Sequence, residues 1–136
     1  MRGKPGSFEG WQESVHRTIR ERPLWGFAAY QKALFLYDLA WYDCEHLMRD
    51  VRGRAASSQL IRSVGSISAN MEEAYGRGKG KDYRFHMRIA LAEAREAQGW
   101  YWRSGHLLPD NVCDHRLNLL DEIIAILTTH LRRHHD

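Results

Sequence analysis

The stretch QLIRSVGSISANMEEAYGR, residues 59–77, has two unlike faces and is compatible with few folds. Wound at 3.6 residues per turn, Leu60, Val64, Ile67, Met71 and Tyr75 form one apolar stripe. Arg62, Ser66, Asn70, Glu73 and Arg77 form a polar stripe on roughly the opposite side. Ser63, Gly65, Ser66 and Ser68 contribute little helix propensity, so packing must hold the segment. Small side chains also let another backbone approach. Arg62 and Glu73, eleven residues apart on one face, are expected to pair along it. The pattern predicts a helix packed on both sides, one in its own core and the other against a second subunit. Whether the polar stripe acts within or between subunits is left open by spacing alone.

The remaining periodicities extend this helix into an all-α chain. Phe8, Trp11, Val15 and Ile19 recur every three or four residues and predict a short leading helix ending before Pro23. A first long helix is expected from about Trp25 to Asp50, with Phe27, Leu34, Phe35, Leu39 and Tyr42 inward and Gly53 in the break that follows. The second long helix is expected to start at Ser57 or Ser58, either a plausible N-cap, and to end near Tyr75. Three glycines in GRGKGKD, residues 76–82, make a turn. In the third helix, about Asp82 to His106, Tyr83, Met87, Ala90, Ala94, Ala97 and Tyr101 alternate at spacings of four and three, a coiled-coil-like seam. Pro109 and Asp110 open the fourth, which runs to about Arg133 with Leu117, Leu120, Ile124, Leu127 and Leu131 inward. Short connections make neighbours antiparallel. The expectation is an up-down-up-down four-helix bundle over residues 25–136, preceded by a helical segment over residues 1–24. A chain of 136 residues suffices for one such core.

That topology gathers charge. The start of the first long helix, the 76–82 turn and the end of the fourth fall at one end. There lie Arg17, Arg20, Arg22, Arg77, Lys79, Lys81, Arg84, Arg132 and Arg133, in a chain of net charge only +3. Repeated around a ring of subunits, such an end would bind a polyanion with avidity and with steep salt dependence. Solvated helix ends, with Arg favoured by the helix dipole, would produce the same pattern. Trp100, Tyr101 and Trp102 are consecutive, so they cannot share one face. Tyr101 continues the seam. Trp100 and Trp102 are expected under protein, either at a subunit interface or against the leading segment at Trp11, with base stacking as the other reading.

Other chemistry finds little footing. Cys44 and Cys113 read as small buried hydrophobes, not as a disulfide framework. Asp43-x-x-His46 has di-iron spacing once and lacks a second copy, and Cys113-x-His115 lacks further zinc ligands. GRGKG is not a phosphate loop, because no Ser or Thr follows its Lys. No catalytic residue, metal or cofactor is expected. No apolar run approaches the roughly 20 residues of a membrane span, and a reduced cytoplasmic setting is the default.

Residues 59–77 also carry a family resemblance, through Gln59, Arg62, Ser63, Ser66, Ile67, Asn70, Met71 and Glu73. A second block follows at Tyr83, Met87, Ile89, Ala90 and Glu96. Together they resemble the four-helix-bundle proteins related to those encoded in intervening sequences of large-subunit ribosomal RNA genes. That family includes the accessory variability determinant of diversity-generating retroelements. Ala74 stands where the family pattern has Gly, and Ala92-Glu93 replaces its Gly-Ser pair. The resemblance implies a homopentamer without catalytic activity, tied to RNA, with a reverse transcriptase as a further partner. The resulting expectation is a non-enzymatic RNA-binding adaptor whose partners are itself and an RNA or DNA backbone. Its basic end contacts phosphates, while Arg62, Ser66, Asn70, Glu73, Glu96, Trp100 and Trp102 hold helices or subunits. A protein-interaction scaffold without nucleic acid is the competing class, and a metal-binding bundle enzyme the third.

Overall fold

The structure is a computed structural model that describes residues 1–134. The described residues form six α-helices and two 3-10 turns, with no strand. The helices are α1 (Phe8–Ser14), α2 (Arg17–Arg20), α3 (Ala28–Leu47), α4 (Val51–Gly76), α5 (Lys81–Arg103) and α6 (Asp110–Arg133). The 3-10 turns cover Pro23–Gly26 and Ser104–His106. None of the helices is long and apolar enough to cross a membrane.

The long helices pack α3 on α4, α4 on α5, α5 on α6, and α6 back on α3. Along α3 and α4, Tyr30 bonds Glu72 whereas Cys44 bonds the Ser57 carbonyl, so partner numbers fall as chain numbers rise. Asn70 with His86 and Arg62 with Glu93 show the same reversal between α4 and α5. Leu60, Val64, Ile67 and Met71 of α4 are fully buried, as the stripe requires. Tyr75 departs from it: at 38% exposure it lies at the rim, one turn past the core. On α5, Met87, Ala90, Ala94, Ala97 and Tyr101 are all fully buried, while Tyr83 is half-buried. Alanines at three successive seam positions leave no long side chain to hold α5 away from its neighbours, which gives α4 and α5 the most extensive pairing.

Several boundaries differ from the sequence expectation, each for a local reason. The leading segment is two short helices, because Val15 is extended and His16 caps a new turn by accepting from the Thr18 N–H. Pro23 starts a 3-10 turn, which delays α3 to Ala28. Its buried face is Tyr30, Ala33, Leu36, Leu39, Ala40 and Leu47 together with Phe35, whereas Phe27, Leu34 and Tyr42 are half-buried. The α3–α4 break is at residues 48–50, and α4 begins before Ser57. Its N-cap is Asp50, whose carboxylate accepts from the Arg52 N–H at 2.8 Å and from the Arg52 guanidinium. These bonds hold the Asp50 carboxyl well below the usual carboxylate range. Gly53 is therefore a buried helical residue and not a breaker. On α6 the deep positions are Arg116, Leu120, Ile123 and Leu127, so the stripe is rotated from the expected one, and Leu117, Ile124 and Leu131 flank it half-buried.

The leading segment is strapped onto α3. Trp11, 5% exposed, packs its ring against Phe8, Trp25 and Phe35 at 5.4–6.0 Å and donates its Nε1–H to Asp38 at 2.8 Å. Arg2 pairs with the same carboxylate at 2.9 Å, and Tyr42 donates to the Arg2 carbonyl. Trp11 is thus spent on α3 and does not cover Trp100.

Candidate nucleic-acid interface

The reversal between α4 and α5 positions the basic end. Gly78 and Gly80 both have φ of +87°, in the left-handed region where side chains strain the backbone. A Cβ at either would meet open space, so conformation and not room makes them glycine. The turn carries the chain back so that Tyr83 reaches α6. Its hydroxyl shares a 2.7 Å hydrogen bond with His130 Nε2. The Phe27 ring lies 4.8 Å from the His130 ring, and Tyr75 lies 5.7 Å from Tyr83. The start of α3, the glycine turn and the end of α6 therefore meet at one end, as the charge argument required. Burial, with Tyr75 nearby, pushes the Tyr83 phenol up to about 12.

The nine predicted cations are placed unequally. Lys79 and Arg84 line one recess with His130 and His134, and Arg133 lines an adjoining recess that shares both histidines. Lys81 and Arg132 are exposed at the start of α5 and in the last turn of α6. Arg77 is held by Glu73 at 2.9 Å, which offsets its charge. Arg22 is exposed ahead of the 3-10 turn, close enough to lower the Tyr30 phenol slightly against the burial that raises it. Arg17 and Arg20 ride on α2, with Arg17 paired to Glu21 at 3.2 Å. Lys79, Arg84 and Arg133, grouped around His130 and His134, form the centre of the cluster.

The polar stripe of α4 is split between bonds along its own helix and bonds to α5. Arg62 pairs with Glu96 and, at 3.5 Å, with Glu93, both on α5. It does not pair with Glu73, because eleven residues of helix separate them by about 16 Å. Asn70 donates to the Ser66 carbonyl at 2.8 Å and faces His86 at 3.4 Å. Trp100 is half-buried under the Arg103 guanidinium, 4.7 Å from its ring. Trp102 is 75% exposed, so within one chain it is not covered by protein.

A buried polar cluster was missed by the sequence reading. Asp43 accepts from Arg116 Nε at 2.8 Å and Nη2 at 3.0 Å, and from the Tyr101 hydroxyl at 2.7 Å. Burial works against the Arg116 charge, but the Asp43 carboxylate raises its pKa overall. Burial also pushes the Tyr101 phenol far up, so it remains a donor. The available signal was helical spacing: Asp43 falls in line with Leu36, Leu39, Ala40 and Leu47, and Arg116 with Cys113, Leu120, Ile123 and Leu127. Asp43 is engaged with these partners, and His46 Nε2 lies against the Leu107 carbonyl at 3.0 Å. Among the described residues no group of three or more His, Cys, Asp or Glu is arranged to hold a metal. Cys44 and Cys113 are buried free thiols, pushed up mainly by burial.

Two imidazoles are expected to make the fold acid-sensitive. His130 is lowered from 6.5 by burial and then by His134, and His115 by burial and then by Arg116. Each folded pKa lies below its unfolded value, so their contribution is complete above about pH 6.5 and drains as the pH falls through the folded pKa. Thermal melts should show Tm falling from pH 7.5 to 5, and His130→Gln should flatten part of that slope. A His130→Gln chain with the unaltered slope would eliminate His130 as a source.

Comparison with known proteins agrees with this architecture. Residues 27–129 match the profile of the family described as 23S rRNA-intervening sequence protein. A crystal structure of a protein with unknown function from the S23 ribosomal protein family, from Bacteroides thetaiotaomicron VPI-5482, superposes with a TM-score of 0.71. The match covers 76% of this chain and 98% of that one at 24% identity, and shows a shared fold. No curated protein matches the sequence.

Proposed function

The chain belongs to the 23S rRNA-intervening sequence protein family, and we propose that it is a non-catalytic, cytoplasmic RNA-binding adaptor whose basic end contacts phosphates. The supporting observation is the grouping of Lys79, Arg84 and Arg133 around His130 and His134, with Lys81 and Arg132 exposed on the same two helix ends. In this reading the four long helices act as an up-down-up-down bundle, and identical copies assemble as a pentamer. A ring repeats the basic end five times, so modest contacts add by avidity. The Arg62–Glu93–Glu96 network keeps α4 and α5 in register.

Fluorescence anisotropy of structured RNA, duplex DNA and single strands, at low and physiological salt, tests this. Sedimentation tests the assembly. A variant with Lys79, Lys81, Arg84, Arg132 and Arg133 changed to Gln should lose at least about tenfold in affinity and show a shallower salt slope. Failure of folded wild type to bind any of these at low salt would sink the reading. The second reading, a protein scaffold without nucleic acid, draws on Trp102, whose 75% exposure is large for an indole. It predicts that Trp102→Ala weakens capture of a protein partner and leaves nucleic-acid titrations flat.

A further inference from the structure

We infer that the recess beside the glycine turn is a stacking site for one unpaired nucleotide of RNA. The inference rests on the phosphate-binding role proposed for the basic end, and adds what that end recognises. The recess encloses about 580 Å³, within the roughly 300–1,000 Å³ range of small-molecule sites. Its walls are Tyr75, Tyr83, His130 and His134, and its cations are Lys79 and Arg84. No carboxylate is among its described lining residues, whereas the two other recesses of similar size include Asp110 and Asp114, or Asp38 and Glu45. Four aromatic rings and two cations in one recess suit an anionic ligand with a planar ring.

The walls are suited to a base. The Tyr83 ring is fixed by its hydrogen bond to His130, so little ordering remains to be done on binding. Tyr75, 38% exposed and 5.7 Å from Tyr83, offers an aromatic surface at the rim. The His130 and His134 rings lie 4.1 Å apart and close the other side. Every base has a π-face, so stacking here is tolerant of sequence. A base inside a duplex is already stacked on its neighbours, so the recess selects a single-stranded end, loop or bulge. Lys79 and Arg84 then take the flanking phosphates.

The test uses the full chain, a fluorescent octariboadenylate, an abasic strand of equal length and charge, and an RNA duplex. Wild type should bind the octamer about tenfold more tightly than the abasic strand, the gain expected from stacking one base. Tyr75→Ala should erase that difference, Tyr75→Phe should keep it, and neither should change duplex binding. Tyr75 is at the surface, so folding of both variants is expected and is checked by circular dichroism. Equal binding of octamer and abasic strand by wild type overturns the stacking site while leaving the phosphate face standing. Absence of binding to all three probes overturns both. A Tyr75→Ala loss that is equal on octamer, abasic strand and duplex also overturns the stacking site.

Discussion

Arg116→Met is expected to lower the unfolding free energy by about 3–5 kcal/mol, measured by urea denaturation. The Arg116 and Asp43 side chains are only 7% and 5% exposed, and two hydrogen bonds of 2.8 and 3.0 Å join them. Removing the guanidinium leaves a carboxylate buried with only the Tyr101 hydroxyl for compensation. The pair itself need not add net stability, since two charges must be desolvated to form it. An Asp43→Leu/Arg116→Met double variant should therefore recover part of the loss. Recovery should be incomplete, because the buried Tyr101 hydroxyl then lacks its acceptor, at a cost of about 1–3 kcal/mol. An Arg116→Met chain as stable as wild type would mean that the Asp43 carboxylate gains water or another partner.

Gly53→Ala is expected to cost about 3 kcal/mol, at the upper end of overpacking. At an open helical site the same change would gain about 1 kcal/mol from propensity. Here an added Cβ would sit 2.0 Å from the Leu47 carbonyl oxygen and 2.7 Å from Leu107 Cδ1. Backbone cannot yield as a flexible side chain can, so α4 would have to move away from the end of α3. Gly76 provides the control: it is also helical and meets nothing within 4 Å, so Gly76→Ala should be neutral or stabilising. Thermal or chemical denaturation of the two variants separates close approach from propensity. Equal behaviour of both would mean that the α3–α4 corner is looser than its geometry.

The core of α4 and the seam of α5 could be read from residue spacing, because burial on one face of a regular helix imposes a 3.6-residue period. Leu60, Val64, Ile67 and Met71, and Met87 through Tyr101, are where that period puts them. On α6 the apolar residues Leu117, Leu120, Ile123 and Ile124 cover too wide an arc for spacing alone to choose a face. Neighbouring helices choose it, and they bury Ile123 and Arg116. The start of α4 was misplaced because Gly53 reads as a breaker and hides Asp50, the first of three residues able to cap, ahead of Ser57 and Ser58. The capping bond from Arg52 to Asp50 selects the first of them.

The basic end follows the same division. Lys79, Lys81, Arg84, Arg132 and Arg133 belong to helix ends that short connections bring together, so their proximity was implicit in the chain order. Which of them share a recess was not. The left-handed glycines set the turn, Tyr83 then meets His130 forty-seven residues away, and Lys79 and Arg84 are carried into place with it. Asp43 and Arg116, seventy-three residues apart, are a stronger case. Nothing in either local sequence names the other, since pairing across helices depends on the rotation of each helix about its axis. Periodicity within a segment records which face is buried, because burial acts on every turn alike. Contacts between segments record how those faces are rotated and stacked, and that is settled only when all four long helices pack at once.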